Sequence, residues 1–305
     1  MGLLSNILYD TIYHSTPIIL CVIGGMFAYK ANVLNIALEG MMLNGAFVAT
    51  LVMFFSGSLP LSIFLAVLST LVYGFIFSIL GISYRGNVIV VGLAINLITS
   101  AIAGFVMQIM GTANITLQNV NIANYKIHIP LIGKVPLLGS IISGHPPITY
   151  LAFIGIACSY VLMYKTRFGI YVRVAGENED SASSLGIKVN YYKYAAVLIG
   201  AFCCALAGVN LSVERLGLYT NDMTAGRGFI AIAAIYCGQG RPVLSSMYAI
   251  LFGVARALAV NLSIYAGPAS GLFDIIPYII MVAVLAIVSG VKYKNIKERG
   301  LGSAM

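Results

Sequence analysis

The sequence predicts an all-α integral membrane protein, a polytopic helical bundle of about nine crossings with one short or broken helix. Three observations carry this. Only 9% of the 305 residues are charged and 60% are hydrophobic, against roughly 25% charged in a soluble domain, so the chain could not cover a water-facing surface. Mean hydropathy is +0.97. The apolar residues fall in runs that approach or exceed the about 20 residues a helix needs to cross the hydrocarbon, without the polar alternation of barrel strands.

Taken in order, the candidate crossings lie near residues 16–30, 33–56, 59–81, 88–110, 147–164, 191–213, 229–240, 243–262 and 275–290. The seventh is too short to span alone. It reads as a half-helix continued by the irregular stretch before it, which a membrane tolerates only inside protein or beside a cavity. Placing the C-terminus inside puts twelve Lys and Arg on inner segments and four on outer ones, with Arg256 within a span. Basic residues favour the cytoplasmic side, so the N-terminus is expected outside and the C-terminus in the cytoplasm, which requires an odd number of crossings. Residues 1–305 then form a single transmembrane domain in the cell membrane, with an extracellular loop at 111–146 and a cytoplasmic loop at 165–190. The segment IPLIGKVPLLGSIISG in the outer loop is too apolar for a free loop and is expected to pack on the rim of the bundle.

Several function classes are excluded. The net charge of +8 comes from residues that flank apolar spans and form no patch with aromatics, so nucleic acid is not a partner; lipid is. Cys21, Cys158, Cys203, Cys204 and Cys237 lie in apolar runs and read as small buried hydrophobes. The three histidines are far apart in the chain, and neither a metal nor another cofactor is expected. No catalytic Ser/His pair lies within the spans, and no phosphate-cradling Gly-x-x-x-x-Gly-Lys-Ser/Thr loop is present, so any ATP-derived energy must come from a partner. An ion-coupled transporter would want a relay of intramembrane Asp, Glu or His, and only Glu39 lies well inside a span.

Polar residues within spans are costly and need a reason. Glu39 reads either as a structural hydrogen-bonding group or as part of the translocation pathway, and Asn35, Asn44 and Asn96 carry the same two readings. Arg227, between Gly226 and Gly228, reads as a loop arginine at the outer interface or as a pathway residue. Arg256, deeper in its span, must pair or snorkel. The small-residue run at 205–208 reads as helix packing. A weak echo links Glu39–Phe47 with Ala225–Ala231, as in transporters built from repeats.

The inner loop, KTRFGIYVRVAGENEDSASSLGIKVN, is the most polar stretch of the chain. Asn178 or Asp180 can cap a short helix over Ser181–Leu185, and Gly186 suits the residue after its end. Ala182 and Leu185, three apart, would share an apolar face. This is either a solvated hairpin or a docking element.

Here a resemblance enters. VRVAGENEDSASSLGIKVN (172–190) resembles the coupling loop of ABC importer permeases of the branched-chain amino acid, ribose and nucleoside superfamily. ANVLNIALEGMMLNGAF (31–47) is similar to a second segment of those permeases. ERLGLYTNDMTAGRGFIAIAAIYCGQGRP (214–242) is similar to a third, typical of the nucleoside and simple-sugar branch. Departures are small for small: Ser181, Ser183 and Ser184 stand where alanines are common, and Ala37 where glycine is usual. The resemblance implies a permease subunit of an ATP-driven importer for nucleosides or related simple sugars, with another small polar solute such as a branched-chain amino acid as the alternative. It implies cytoplasmic ABC ATPase subunits, a second permease chain and an extracellular substrate-binding protein as partners. Gly176, Glu177, Asn178, Ala182, Leu185 and Gly186 would form the ATPase-coupling loop.

Overall fold

The computed structural model describes residues 3–117, 125–127, 141, 143–264 and 267–298. Eleven helices are labelled here: α1 (Leu3–Lys30), α2 (Leu38–Ser56), α3 (Leu59–Ser78), α4 (Val88–Ile109), α5 (Pro147–Lys165), α6 (Arg167–Glu177), α7 (Glu179–Ser184), α8 (Val189–Leu211), α9 (Arg227–Cys237), α10 (Pro242–Ser263) and α11 (Ile276–Glu298). Among the described residues, eight elements are long and apolar enough to cross a membrane, and α9 is a shorter apolar helix. The expected nine segments are therefore all helical, with the seventh reduced to 11 residues. One short antiparallel pair, β1 (Asn114–Thr116) with β2 (Leu218–Thr220), ties the segment after α4 to the segment after α8.

Helix starts follow local chemistry. Proline occupies the first turn of α3, α5 and α10, where its missing N–H is no loss. Asn87 caps α4 by accepting from the Ile89 N–H at 3.0 Å. Two boundaries differ from the sequence reading. The first crossing begins well before residue 16, because Asp10, Thr11 and Thr16 bond inside the protein: Asp10 with Asn261 at 2.7 Å, the threonines with backbone carbonyls one turn earlier. The second begins only at Leu38, since residues 31–37 run non-helically from the end of α1.

The packing has an internal two-fold pattern. α1 and α8 form the central antiparallel pair. α8 packs on α3 and α2, while α1 packs on α10 and α9. α2 in turn lies against α3 and α4, and α9 against α10 and α11. Exchanging α1–α4 with α8–α11 reproduces the contact pattern with direction reversed, an inverted-repeat arrangement. The faint echo between residues 39–47 and 225–231 thus falls on equivalent helices. Small residues let the centre close: a Cβ on Gly208 would strike the backbone of Met42 and Ala46, which is how helices approach where lipid supplies no hydrophobic drive.

α1, α2 and α8 are mostly buried, whereas only 22% of the α4 window and 6% of the α11 window are. These outer helices still carry large exposed apolar residues, such as Leu97, Phe105, Ile279 and Val282, so their partner is lipid or another membrane chain. Most of the apolar outer-loop segment expected to pack on the rim (residues 129–140 and 142) lies outside the described residues.

Candidate functional site

Four of the polar residues singled out in the sequence converge on one junction. The chain leaves α1 at Lys30, runs non-helically to Ile36, and starts α2 beside the start of α9. Glu39, in the first turn of α2, bonds both backbone donors that open α9. The Gly226 N–H reaches Oε1 at 2.8 Å, and the Gly228 N–H reaches Oε2. A carboxylate there meets the positive end of the helix dipole and satisfies donors with no intrahelical partner. Gly226 has φ of 72°, a left-handed turn that glycine adopts without steric cost. A Cβ on Gly228 would lie 2.6 Å from Glu39 Cα, so glycine permits the contact.

Arg227 is buried against the same turn, its Nη1 donating to the carbonyls of Met223 at 2.9 Å and Thr224 at 3.0 Å. Tyr278 of α11 donates to the Ala225 carbonyl at 2.8 Å. Asn96 of α4 does for α2 what Glu39 does for α9. Its Oδ1 accepts from the Gly40 N–H at 2.8 Å, and its Nδ2 donates to the Ile36 carbonyl at 3.1 Å. Asn35 closes the turn before α2 by accepting from the Ala37 N–H at 3.0 Å. So Asn35, Glu39, Asn96 and Arg227 meet at one place. Asn44 stands apart, donating to Ser69 and Thr70 of α3 at 2.9 and 3.0 Å.

The second candidate element is the loop between α5 and α8. It holds two helices where the sequence suggested one. α6 was hidden by its place in the most polar stretch of the chain, although Phe168, Val172 and Ala175 recur at helical spacing and turn inward. Thr166 caps α6, accepting from the Gly169 N–H at 3.3 Å. Asn178 caps α7, accepting from the Ser181 N–H at 2.9 Å. Gly186, with φ of 77°, ends it, and the Ile187 N–H returns to the Ala182 carbonyl at 3.1 Å, a Schellman closure. The expected shared face of Ala182 and Leu185 is not formed. Ala182 is 0% exposed and packs with Ala175 and Val189, while Leu185 is 76% exposed. The reason is that α7 ends at Ser184, so Leu185 lies past the last helical turn. Gly176 sits with its backbone on the Lys30 carbonyl, where a Cβ would collide. Lys193 pairs with Glu179 at 2.7 Å, fixing α7 to α8.

A third cluster, at the end of the bundle opposite α7, was not singled out in the sequence. Arg215, counted there with the outer segments, is instead buried. Its guanidinium lies 4.0 Å from the Tyr13 ring centroid and bonds Thr149 at 3.2 Å. Glu214 accepts from Asn210 at 2.7 Å. The spacing of Asn210 and Glu214, four apart at the end of an apolar run, is the signal that could have found it. Nearby, His145 stacks on Tyr9 with centroids 4.2 Å apart. Burial pushes the His145 imidazole down to a pKa of about 4, opposed by its bond to the Ile141 carbonyl and aided to a lesser degree by the charges of Arg215 and Lys126. Arg256 pairs with Asp274 at 3.0 Å. Among the described residues, no group of three or more His, Cys, Asp or Glu is arranged to hold a metal.

The chain is 31% identical over 304 residues to the nucleoside ABC transporter permease protein NupC of Lactococcus lactis subsp. cremoris (strain MG1363), covering 94% of this chain and 93% of that one. It is 33% identical over 267 residues to the guanosine ABC transporter permease protein NupQ of Bacillus subtilis (strain 168), covering 85% and 83%. Its fold resembles that of a metal-chelate type ABC transporter in an inward-facing conformation, with a TM-score of 0.51, 15% identity, and 94% and 85% of the chains covered. Residues 7–285 match the model of the branched-chain amino acid transport system / permease component family. The chain, a multi-pass membrane protein, belongs to that family of ABC permeases.

Proposed function

We propose that this chain is the membrane-spanning subunit of an ATP-driven importer whose cargo is nucleosides, with N-terminus outside and residues 165–190 in the cytoplasm. The family brings ATPase subunits, a substrate-binding protein and a second permease in general terms. The reading here is specific: ABC ATPases dock on α6–α7, a second, paralogous permease chain completes the pathway, and an extracellular binding protein delivers the cargo. The nucleoside assignment is supported by two full-length relatives named for nucleoside and guanosine transport.

The observation that carries the reading is the α6–α7 element. It is a capped helix pair, seated by Gly176 directly on the end of α1 and presenting the exposed Leu185. Such an element moves as a body. Closure of an ATPase cleft around it is passed to α1 through the Gly176–Lys30 contact and to α8 through the Lys193–Glu179 pair. α1 and α8 are the central helices, so displacement there reaches both repeats. Asn35, Glu39, Asn44, Asn96 and Arg227 serve the pathway as its frame, holding the starts of α2 and α9 and the α2–α3 contact in register.

Reconstitution with the partner subunits tests this. Labelled guanosine should accumulate with ATP and be insensitive to ionophores that collapse ion gradients. Leu185→Asp should lower uptake and substrate-stimulated ATPase activity while leaving the melting temperature unchanged. Uptake driven by an ion gradient without ATP, or of sugars and not nucleosides, would overturn the mechanism or the cargo respectively.

A further inference from the structure

We propose that the cavity where α1, α6 and α9 meet is a binding site for a nucleoside 5′-monophosphate, and that its occupation holds the coupling element against the bundle. The proposal rests on the nucleoside reading for its physiological sense. The cavity itself is lined by residues of this chain.

Its volume is about 410 Å³, at the lower end of small-molecule sites, which run roughly 300–1,000 Å³. Tyr29, Lys30 and Asn32 line it from the end of α1, Arg173 and Glu177 from α6, and Tyr236 from the last turn of α9. The chemistry is of three kinds. Tyr29 and Tyr236 meet edge to face with centroids 5.1 Å apart, an aromatic wall suited to a flat ring. Lys30 and Arg173 form no ion pair among the described residues. Arg173 gives only its Nε to the Gly169 carbonyl, at 3.4 Å, and lies 5.1 Å from the Tyr164 ring centroid, so its terminal nitrogens remain donors. Glu177 and Asn32 offer acceptors of the kind that take ribose hydroxyls.

A single ligand class uses all three. A phosphate dianion takes the Lys30 and Arg173 donors in charge-assisted hydrogen bonds. The base rests on the tyrosines, and the hydroxyls reach Glu177 and Asn32. A neutral nucleoside would leave the two cations with only the single Glu177 carboxylate to balance them, and inorganic phosphate would leave the aromatic wall bare. The consequence follows from position. The cavity straddles the joint where Gly176 rests on the Lys30 carbonyl, and a ligand bound across it ties α6 to α1 and α9. Phosphoryl transfer from a nucleoside triphosphate, which leaves as the diphosphate, to the 5′-hydroxyl of an imported nucleoside, whose proton is released, yields this ligand on the cytoplasmic side, so the site would report accumulated product and slow further import.

The purified permease–ATPase complex in neutral detergent would be titrated calorimetrically with guanosine 5′-monophosphate, guanosine and inorganic phosphate. The monophosphate should bind at least about tenfold more tightly than either, the value of one charge-assisted hydrogen bond. Lys30→Gln and Tyr236→Ala should each weaken it by about the same factor, and Tyr236→Ala should leave melting temperature and guanosine uptake in the absence of the monophosphate unchanged. In proteoliposomes, the monophosphate on the ATPase side should slow uptake by wild type and not by Tyr236→Ala. Equal binding of inorganic phosphate or of guanosine, displacement of the monophosphate by short-chain phosphatidylglycerol at equal concentration, or binding indifferent to both substitutions would overturn the site. A complex that binds the monophosphate through Lys30 and Tyr236 but transports no guanosine would refute the cargo assignment and leave the site standing.

Discussion

Removing the Glu39 carboxylate should unseat α9. Two backbone N–H groups, of Gly226 and Gly228, are held by its oxygens. Hydrogen bonds to a charged group contribute about 1.5–3 kcal/mol each, and a charge at a helix terminus contributes up to about 2 kcal/mol in a buried setting. These terms describe the same contact and do not add in full. Glu39→Ala also takes a negative charge away from the neighbourhood of the buried Arg227 guanidinium, and the two lost hydrogen bonds alone amount to about 3–6 kcal/mol. That is a large share of a stability of about 5–15 kcal/mol, so Glu39→Ala should fail to assemble. Glu39→Gln keeps the shape and one acceptor but turns an amide donor toward an N–H. Its cost should be about 2 kcal/mol, which at about 2–4 °C per kcal/mol lowers the melting temperature of the purified complex by roughly 4–8 °C. Gly228→Ala should act in the same direction, since its Cβ would lie 2.6 Å from Glu39 Cα. A Glu39→Ala protein that assembles and melts with the wild type would refute the capping argument outright.

Three further expectations follow from named contacts. Gly176→Ala should push α6 off the Lys30 carbonyl, costing about 1–3 kcal/mol and uncoupling ATP hydrolysis from uptake; unchanged coupling would mean that this contact transmits nothing. Asn178→Ala should cost about 1 kcal/mol through the lost cap and speed amide exchange in α7, which hydrogen-exchange mass spectrometry would detect, whereas Asn178→Ser should restore protection. His145 is neutral in the folded protein, its pKa depressed from 6.5 to about 4. An unfolded or undocked segment takes up the proton first as pH falls, so the docking of His145 on Tyr9 is fully stable above about 6.5 and weakens progressively toward about 4. Protection of the Ile127 and Gly144 amides should fall over that interval in wild type, and the dependence should vanish in His145→Gln.

The class of the protein was legible from composition because lipid is the only solvent in which so few charges suffice. The crossings were legible from run length, since a helix in lipid pairs all of its backbone groups internally except those of its end turns. The short α9 announced itself by length alone, and the caps of α7 by residue type, because an Asn three residues before its acceptor's donor is local chemistry.

What the sequence left open was decided by distance. Glu39 and Gly228 are 189 residues apart, and Asn96 and Gly40 are 56 apart, so no window along the chain shows that each polar side chain exists to cap a helix on another segment. The same holds for Arg215, which reads as a loop arginine until α1 places Tyr13 beside it. Ala182 and Leu185 parted because the helix between them ended one residue early. Residue type determined that these groups needed partners inside the membrane; only the packing of two inverted repeats determined which partners they found, since that packing brings the starts of α2 and α9 together where neither could satisfy its own first turn.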